Sequence, residues 1–285
     1  MIRKIGVHTS IAGGLHLSLE RAHELGCNTL QIFSHNPRGW AVKGKSHEEI
    51  TEFLKLKTYY SISPVFIHTC YLINLASSDR DLAGKSIDMV AEEMNIADSL
   101  SADYIILHTG SASGADPVSA RKRVISSLIE VSKRGNWRAG LLLENTAGKS
   151  GDVTSKIAEV AEIMNSVPGR LIAGVCIDTC HAFSAGYDIS SPEGIGFMFS
   201  EIFRHIGRDR LKLFHLNDSK GSLGSGLDRH EHIGKGKIGT KGMKNFLTYS
   251  DLMDIPLILE TPKKSHGDDL RNLGVVKRLM RKKRT

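Results

Sequence analysis

The stretch GVCIDTC, residues 174–180, begins as a buried strand and ends in chemistry. Val175, Cys176 and Ile177 suit a core, Asp178 follows at once, and His181 comes three residues later. Seven further runs of strand length share this pattern: KIGVHTS (4–10), TLQIFSH (29–35), PVFIHTC (64–70), YIILHTG (104–110), GLLLENT (140–146), LKLFHLN (211–217) and PLILETP (256–262). Most are apolar without alternation, as expected of parallel strands covered on both faces. Amphipathic helical patterns fill the intervals. Ser46 and Glu49 form a capping-box pattern. Asp116-Pro117 and Ser191-Pro192 read as an N-cap followed by proline at the first helical position. Leu270, Leu273, Val276 and Met280 fall at helical spacing. Eight strands alternating with helices predict a single-domain (β/α)8 TIM barrel over residues 1–285, with a basic tail at about 281–285. The alternative is a doubly wound open sheet, but no strand run is followed by a Gly-x-Gly-x-x-Gly loop.

Each run carries one His, Asp or Glu toward its carboxyl end: His8, His35, His68, His108, Glu144, Asp178, His215 and Glu260. In a barrel all of these rise to one face, the face on which barrel active sites sit. A lone histidine at a strand end is more often a hydrogen-bonded structural residue than a ligand. Convergence changes the balance, because many carboxylates and imidazoles sharing one partly buried mouth cannot stay unpaired. Divalent metals satisfy such clusters, and mixed His/Asp/Glu ligation suits zinc, with manganese or iron as other occupants. The glycine-rich segment HLNDSKGSLGSGLDRHEHIGKGKIG (215–239) adds Asp228 and His230, two residues apart. In an extended segment their side chains point the same way and can share one ion.

The composition sets bounds on function. The net charge of +7 favours a polyanionic partner, through release of condensed counterions when lysine or arginine meets phosphate. No apolar run approaches the roughly 18 residues of a membrane span. No apolar core follows the charges of MIRKIGVHTS, so a cytoplasmic protein is expected. In that compartment Cys27, Cys70, Cys176 and Cys180 are expected to be reduced and buried. A monomer is expected, since no unusual apolar surface stripe stands out.

GVCIDTCHAFSAGYD and the 215–239 segment resemble the endonuclease IV family of apurinic/apyrimidinic (AP) endonucleases. So do HTCYLINL (68–75), HTGS (108–111), ENTAG (144–148) and LILETP (257–262), and the similarity runs from GVHTSIAGG to the last strand. The resemblance implies a barrel with three zinc ions, acting on double-stranded DNA that contains abasic sites. It implies cleavage of the phosphodiester bond 5′ to the lesion, leaving a 3′-hydroxyl and a 5′-deoxyribose phosphate. It assigns His68, His108 and Glu144 to the first ion. Glu144 as a bridge, with Asp178, His215 and Glu260, goes to the second, and His181, Asp228 and His230 go to the third. Glu144 is then the residue on which catalysis depends. Arg38, Tyr71 and Leu72 match the side chains with which the family probes the duplex. His8 and His35 lie outside that ligand set and are expected beside the ligands and on the rim, respectively.

Two other readings compete. A sugar isomerase or epimerase on the same kind of barrel gives no reason for the third site of His181, Asp228 and His230. A lesion-binding protein without catalysis should be missing ligands, and all nine are present.

Overall fold

The computed structural model describes residues 3–114, 116–249, 254–265 and 267–281. Apart from Arg281, the basic tail expected at 281–285 lies outside the described residues. The strands are β1 (Ile5–Val7), β2 (Leu30–Phe33), β3 (Val65–His68), β4 (Tyr104–Leu107), β5 (Gly140–Glu144), β6 (Ile172–Asp178), β7 (Leu211–His215), the short pair β8 (Asp218–Ser219) and β9 (His230–Glu231), and β10 (Leu257–Leu259). The helices are α1 (Leu15–Glu24), α2 (His47–Tyr59), α3 (Arg80–Ser99), α4 (Pro117–Ser132), α5 (Ile157–Ser166), α6 (Thr179–Ser184), α7 (Pro192–His205), α8 (Gly239–Leu247) and α9 (Asp268–Leu279).

The eight apolar runs of the sequence become eight parallel strands in the order β1-β10-β7-β6-β5-β4-β3-β2. The circle closes where His8 bridges Gln31 in parallel and the Thr9 N–H donates to the Gln31 carbonyl at 2.8 Å. The fold is a TIM barrel. Three of its helices start at the caps the sequence predicts. Ser46 and Glu49 form the capping box of α2. Asp116 and Ser191 cap α4 and α7, each with proline in the first turn. In α9 Leu273 and Val276 are buried, whereas Leu270 is 54% exposed and Asn272 takes an inward position.

The strands bury both faces. Outward residues such as Ile67, Ile105, Leu141 and Leu143 join the large core under the helices. Inward residues form a second, smaller core inside the barrel: Phe66, Ile106, Leu142, Cys176, Leu213 and Ile258, one from each of β3, β4, β5, β6, β7 and β10. Side chains along a strand return to the same face every second residue. Two positions beyond this plug stand His68, His108, Glu144, Asp178, His215 and Glu260. The apolar plug therefore sets the phase that aims six polar side chains into one mouth.

Candidate metal centre

β3, β4 and β5 bring His68, His108 and Glu144 together, with His68 Nε2 and His108 Nε2 at 3.3 and 3.2 Å from Glu144 Oε2. His215 Nδ1 lies 2.8 Å from Glu144 Oε1 and 3.3 Å from Glu260 Oε2. Glu144, Asp178, His215 and Glu260 form one group able to share an ion, and His68, His108 and Glu144 form another.

The third group depends on a helix cap. Asp178 ends β6 and caps α6, its Oδ1 accepting the His181 N–H at 2.8 Å. That cap places the His181 ring one turn into α6, and its Nε2 meets Asp228 Oδ1 at 3.1 Å. His230 Nε2 stands 3.8 Å from Asp228 Oδ1 and 3.5 Å from Asp178 Oδ2. Asp178 thus faces both its own group and that of His181 and His230.

Four histidines are oriented by their second ring nitrogen. Nδ1–H of His68, His181 and His230 donates to the carbonyls of Thr69 (2.8 Å), Asn145 (3.0 Å) and Glu260 (3.1 Å). His215 Nε2–H donates to Gln31 Oε1 at 2.7 Å. Each ring then presents its other nitrogen to the cluster, the arrangement that fixes tautomer and basicity in metal-binding imidazoles.

Carboxylates and imidazoles in the cluster shift one another's protonation. Burial works against the Glu144 carboxylate, yet His108, His215 and hydrogen bonds from His181 and His215 hold it well below the usual carboxylate range. Burial also drives His108 down to about 4, leaving it neutral. Burial opposes charge on His181 too, but Asp178, Asp228 and Glu144 raise it well above its ordinary value. The hydrogen bond from His181 pulls Asp228 down to about 2. Glu144 Oε2 and His230 Nε2 are nonetheless buried without a hydrogen-bond partner. Two orphaned buried atoms, each inside a group of potential ligands, fit an ion.

Gln31 was not legible as a site residue in the sequence. It is fully buried, and its Nε2 donates to Glu260 Oε1 at 2.6 Å while its Oε1 holds His215. His8 lies beside it at 3.0 Å, next to the candidate ligand Glu260. His35 corrects the expectation of a rim position. It is only 5% exposed and turns under the rim toward Glu93, because β2 delivers Gln31, not His35, to the barrel mouth.

Asp218 is the second residue missed. Its buried carboxylate accepts the backbone N–H groups of Ser219, Gly234, Gly236, Ile238 and Gly239, at 2.8–3.3 Å. Asp218 thereby ties together the two ends, 219 and 234–239, of the segment that bears Asp228 and His230. Glycine at 236 is required there, since a Cβ would sit 2.5 Å from Asp218 Oδ1. The sequence offered a signal in the density of glycines after an aspartate.

The expected DNA-probing residues sit on the rim. Tyr71 is 62% exposed and Arg38 is exposed, while Leu72 is half-buried against the core. The Tyr71 ring packs edge-on to Phe33, 5.2 Å between centroids. A cavity of about 510 Å³, lined by His8, Phe33, His68, Tyr71, His230 and Glu260, opens below it. All four cysteines are free and buried, and Cys176 belongs to the interior plug beneath the centre.

Residues 19–281 match the family described as the xylose isomerase-like TIM barrel. A relative from Halothermothrix orenii, "Probable endonuclease 4", is 40% identical over 276 residues, covering 96% of this chain and 99% of that protein. The chain belongs to the endonuclease IV family. A Methanoculleus marisnigri member of that family is 39% identical over 96% of this chain and 98% of its own length. The crystal structure of endonuclease IV from Thermus thermophilus superposes with a TM-score of 0.85 at 34% identity, covering 97% of this chain and 98% of that one. A D-tagatose 3-epimerase-like protein shares the fold at 18% identity and a TM-score of 0.73, covering 97% of each chain. Among the described residues of this endonuclease IV family member, no helix is long and apolar enough to cross a membrane.

Proposed function

We propose that the protein is a zinc-dependent DNA-repair endonuclease. It hydrolyses the phosphodiester bond 5′ to an abasic site, giving a 3′-hydroxyl and a 5′-deoxyribose phosphate. The observation that carries this reading is the convergence of eight His, Asp and Glu side chains into three adjoining groups, with Asp228 against His181 beside the third, and with Glu144 Oε2 and His230 Nε2 buried without a hydrogen-bond partner. His68, His108 and Glu144 hold one zinc. Glu144, Asp178, His215 and Glu260 hold a second, and His181, Asp228 and His230 a third. When bound, zinc supplies Lewis acidity, which activates water near neutral pH and draws charge from phosphate oxygens.

The chain's own residues do the rest. Glu144, reached by both His68 and His215, couples the first two groups and fixes their spacing. Neutral His108 keeps a lone pair available. The exposed Tyr71, with Leu72 behind it, wedges into the base stack, and Arg38 enters the duplex at the lesion. Selectivity follows from cost, because an abasic nucleotide has no base to unstack and saves part of a few kcal/mol on leaving the helix. The surplus positive charge of the chain favours the DNA backbone.

The test is a duplex carrying one tetrahydrofuran abasic analogue, incubated with protein of measured metal content. A single nick 5′ to the analogue with a 3′-hydroxyl end is expected, since the analogue cannot undergo β-elimination. Absence of a nick by protein holding about three zinc ions per chain sinks the reading.

A further inference from the structure

We propose that Glu93 is a positioning residue that locks the loop bearing Arg38 and the loop bearing Tyr71 and Leu72 into one rigid probe. The proposal rests on the DNA-probing roles given to those loops above.

Glu93 lies on α3, outside the metal cluster, and is fully buried. Its neighbours on the inward stripe of the helix are Met89, Val90, Met94 and Ala97, among which an apolar residue would be the inexpensive choice. The carboxylate instead reaches upward and divides its two oxygens between two loops. Oε1 accepts the Ser34 hydroxyl at 3.0 Å, at the start of the β2–α2 loop. Oε2 accepts the Cys70 backbone N–H at 3.3 Å, one residue before Tyr71. His35 Nδ1 adds a contact to Oε1 at 3.4 Å and to Ser34 Oγ at 2.8 Å. Directly above, the Tyr71 N–H donates to the Pro37 carbonyl at 3.0 Å. Arg38 and Tyr71 therefore leave the barrel from adjoining residues of two segments tied twice, at the base by Glu93 and at the tip by Tyr71–Pro37.

A probe that inserts two side chains into one lesion gains by holding them at fixed separation before contact, because ordering them on binding would cost affinity. A merely space-filling role for Glu93 would need neither acceptor. The loop ties and the metal ligands come from different residues, so the two can be separated experimentally.

Glu93→Met keeps the volume and removes both acceptors, whereas Glu93→Gln keeps size and an amide oxygen. Three quantities are measured on the metal-loaded protein: metal content, steady-state cleavage of the tetrahydrofuran duplex, and amide hydrogen exchange of segments 34–39 and 70–73. For Glu93→Met, KM is expected to rise about tenfold with kcat within about twofold, as for loss of preorganisation. Exchange in both segments should quicken and metal content stay at the parent value. Glu93→Gln should stay near the parent in all three. Unchanged KM and exchange in Glu93→Met overturn the proposal. So does a joint fall of kcat and metal content, which would mark Glu93 as a support of the metal cluster. If Glu93→Met does not fold, Ser34→Ala, which removes one of the two loop partners, is read against the same outcomes. Exchange needs no substrate, so a parent protein that leaves abasic DNA uncut sinks the functional reading alone and leaves the loop coupling to be judged by exchange.

Discussion

Oε1 of Gln31 lies 2.7 Å from Nε2 of His215, so a neutral amide on the second strand sets the tautomer of an imidazole on the seventh. The same amide donates through Nε2 to Glu260, joining two members of one ligand group from behind. Gln31→Leu should lower metal affinity at the His215 group by roughly 10–100-fold, the cost typical of a lost partner to a ligating histidine. Competition against a chromogenic chelator measures this. Parent-like affinity would show that His215 needs no such partner.

Glu144 contacts His68, His108 and His215 from the bottom of the mouth, with no exposure to solvent. Glu144→Gln should cost cleavage on the order of 10²-fold or more while leaving abasic-duplex binding largely intact. Single-turnover cleavage and fluorescence anisotropy, run side by side, separate the two. Equal cleavage by variant and parent would remove Glu144 from the chemistry.

Five backbone N–H groups converge on Asp218. Each buried donor left unpaired costs about 1–3 kcal/mol, so Asp218→Asn should loosen the 220–239 loop severely. Bound metal is expected to fall by one ion per chain, the one assigned to His181, Asp228 and His230. Limited proteolysis within 220–239 should accelerate. A variant that retains its full metal complement would show that Asp228 and His230 are held by other means.

Burial raises the Glu93 carboxyl from 4.5 to about 7, despite the Ser34 and Cys70 hydrogen bonds and the nearby His68. The groups facing it are His35, itself lowered by burial, Cys70, whose thiol is raised by burial, and the more distant His68. The folded protein therefore binds a proton at Glu93 that the unfolded chain has released between pH 4.5 and 7. Stability falls as pH rises through that window. At about 1.4 kcal/mol per pH unit, the window amounts to about 3 kcal/mol. Glu93→Gln carries no such penalty, so its stability relative to the parent should improve from pH 5 to pH 8. Urea denaturation at both pH values gives the difference, and a pH-independent gap would contradict the assignment.

Most of the barrel could be read in advance because its signals are local. An apolar run such as YIILHTG states strand length, burial and the polar residue at its end in seven positions. Six candidate ligands, His68, His108, Glu144, Asp178, His215 and Glu260, stand out for the same reason, an ionisable group at the end of an apolar run, whereas Asp228 and His230 lie in a polar loop with no such signal. Gln31 and Glu93 were not legible, because each acts on residues distant in the chain, and Asp218 showed only in the glycines that follow it. Glu93 stands in a helix that also carries Asp81, Asp88, Glu92 and Asp98, and composition does not say which acid turns inward. Helical phase does, since Glu93 falls three, four and seven residues from Val90, Met89 and Ser86, all buried. His35 misled because the strand stops at Phe33, two residues before it. The inward position of β2 had already been filled by an uncharged amide.

The last strand of the circle, β10, pairs with the first, Ile5 beside Leu257 and Val7 beside Leu259. On a growing chain His68, His108, Glu144, Asp178 and His181 are all translated before His215, and Glu260 arrives later still. Until β10 slots between β1 and β7, the wall has a gap and one carboxylate of the second group is missing. The ring, and with it the four-membered group of Glu144, Asp178, His215 and Glu260, is therefore complete only once the last strand is in place.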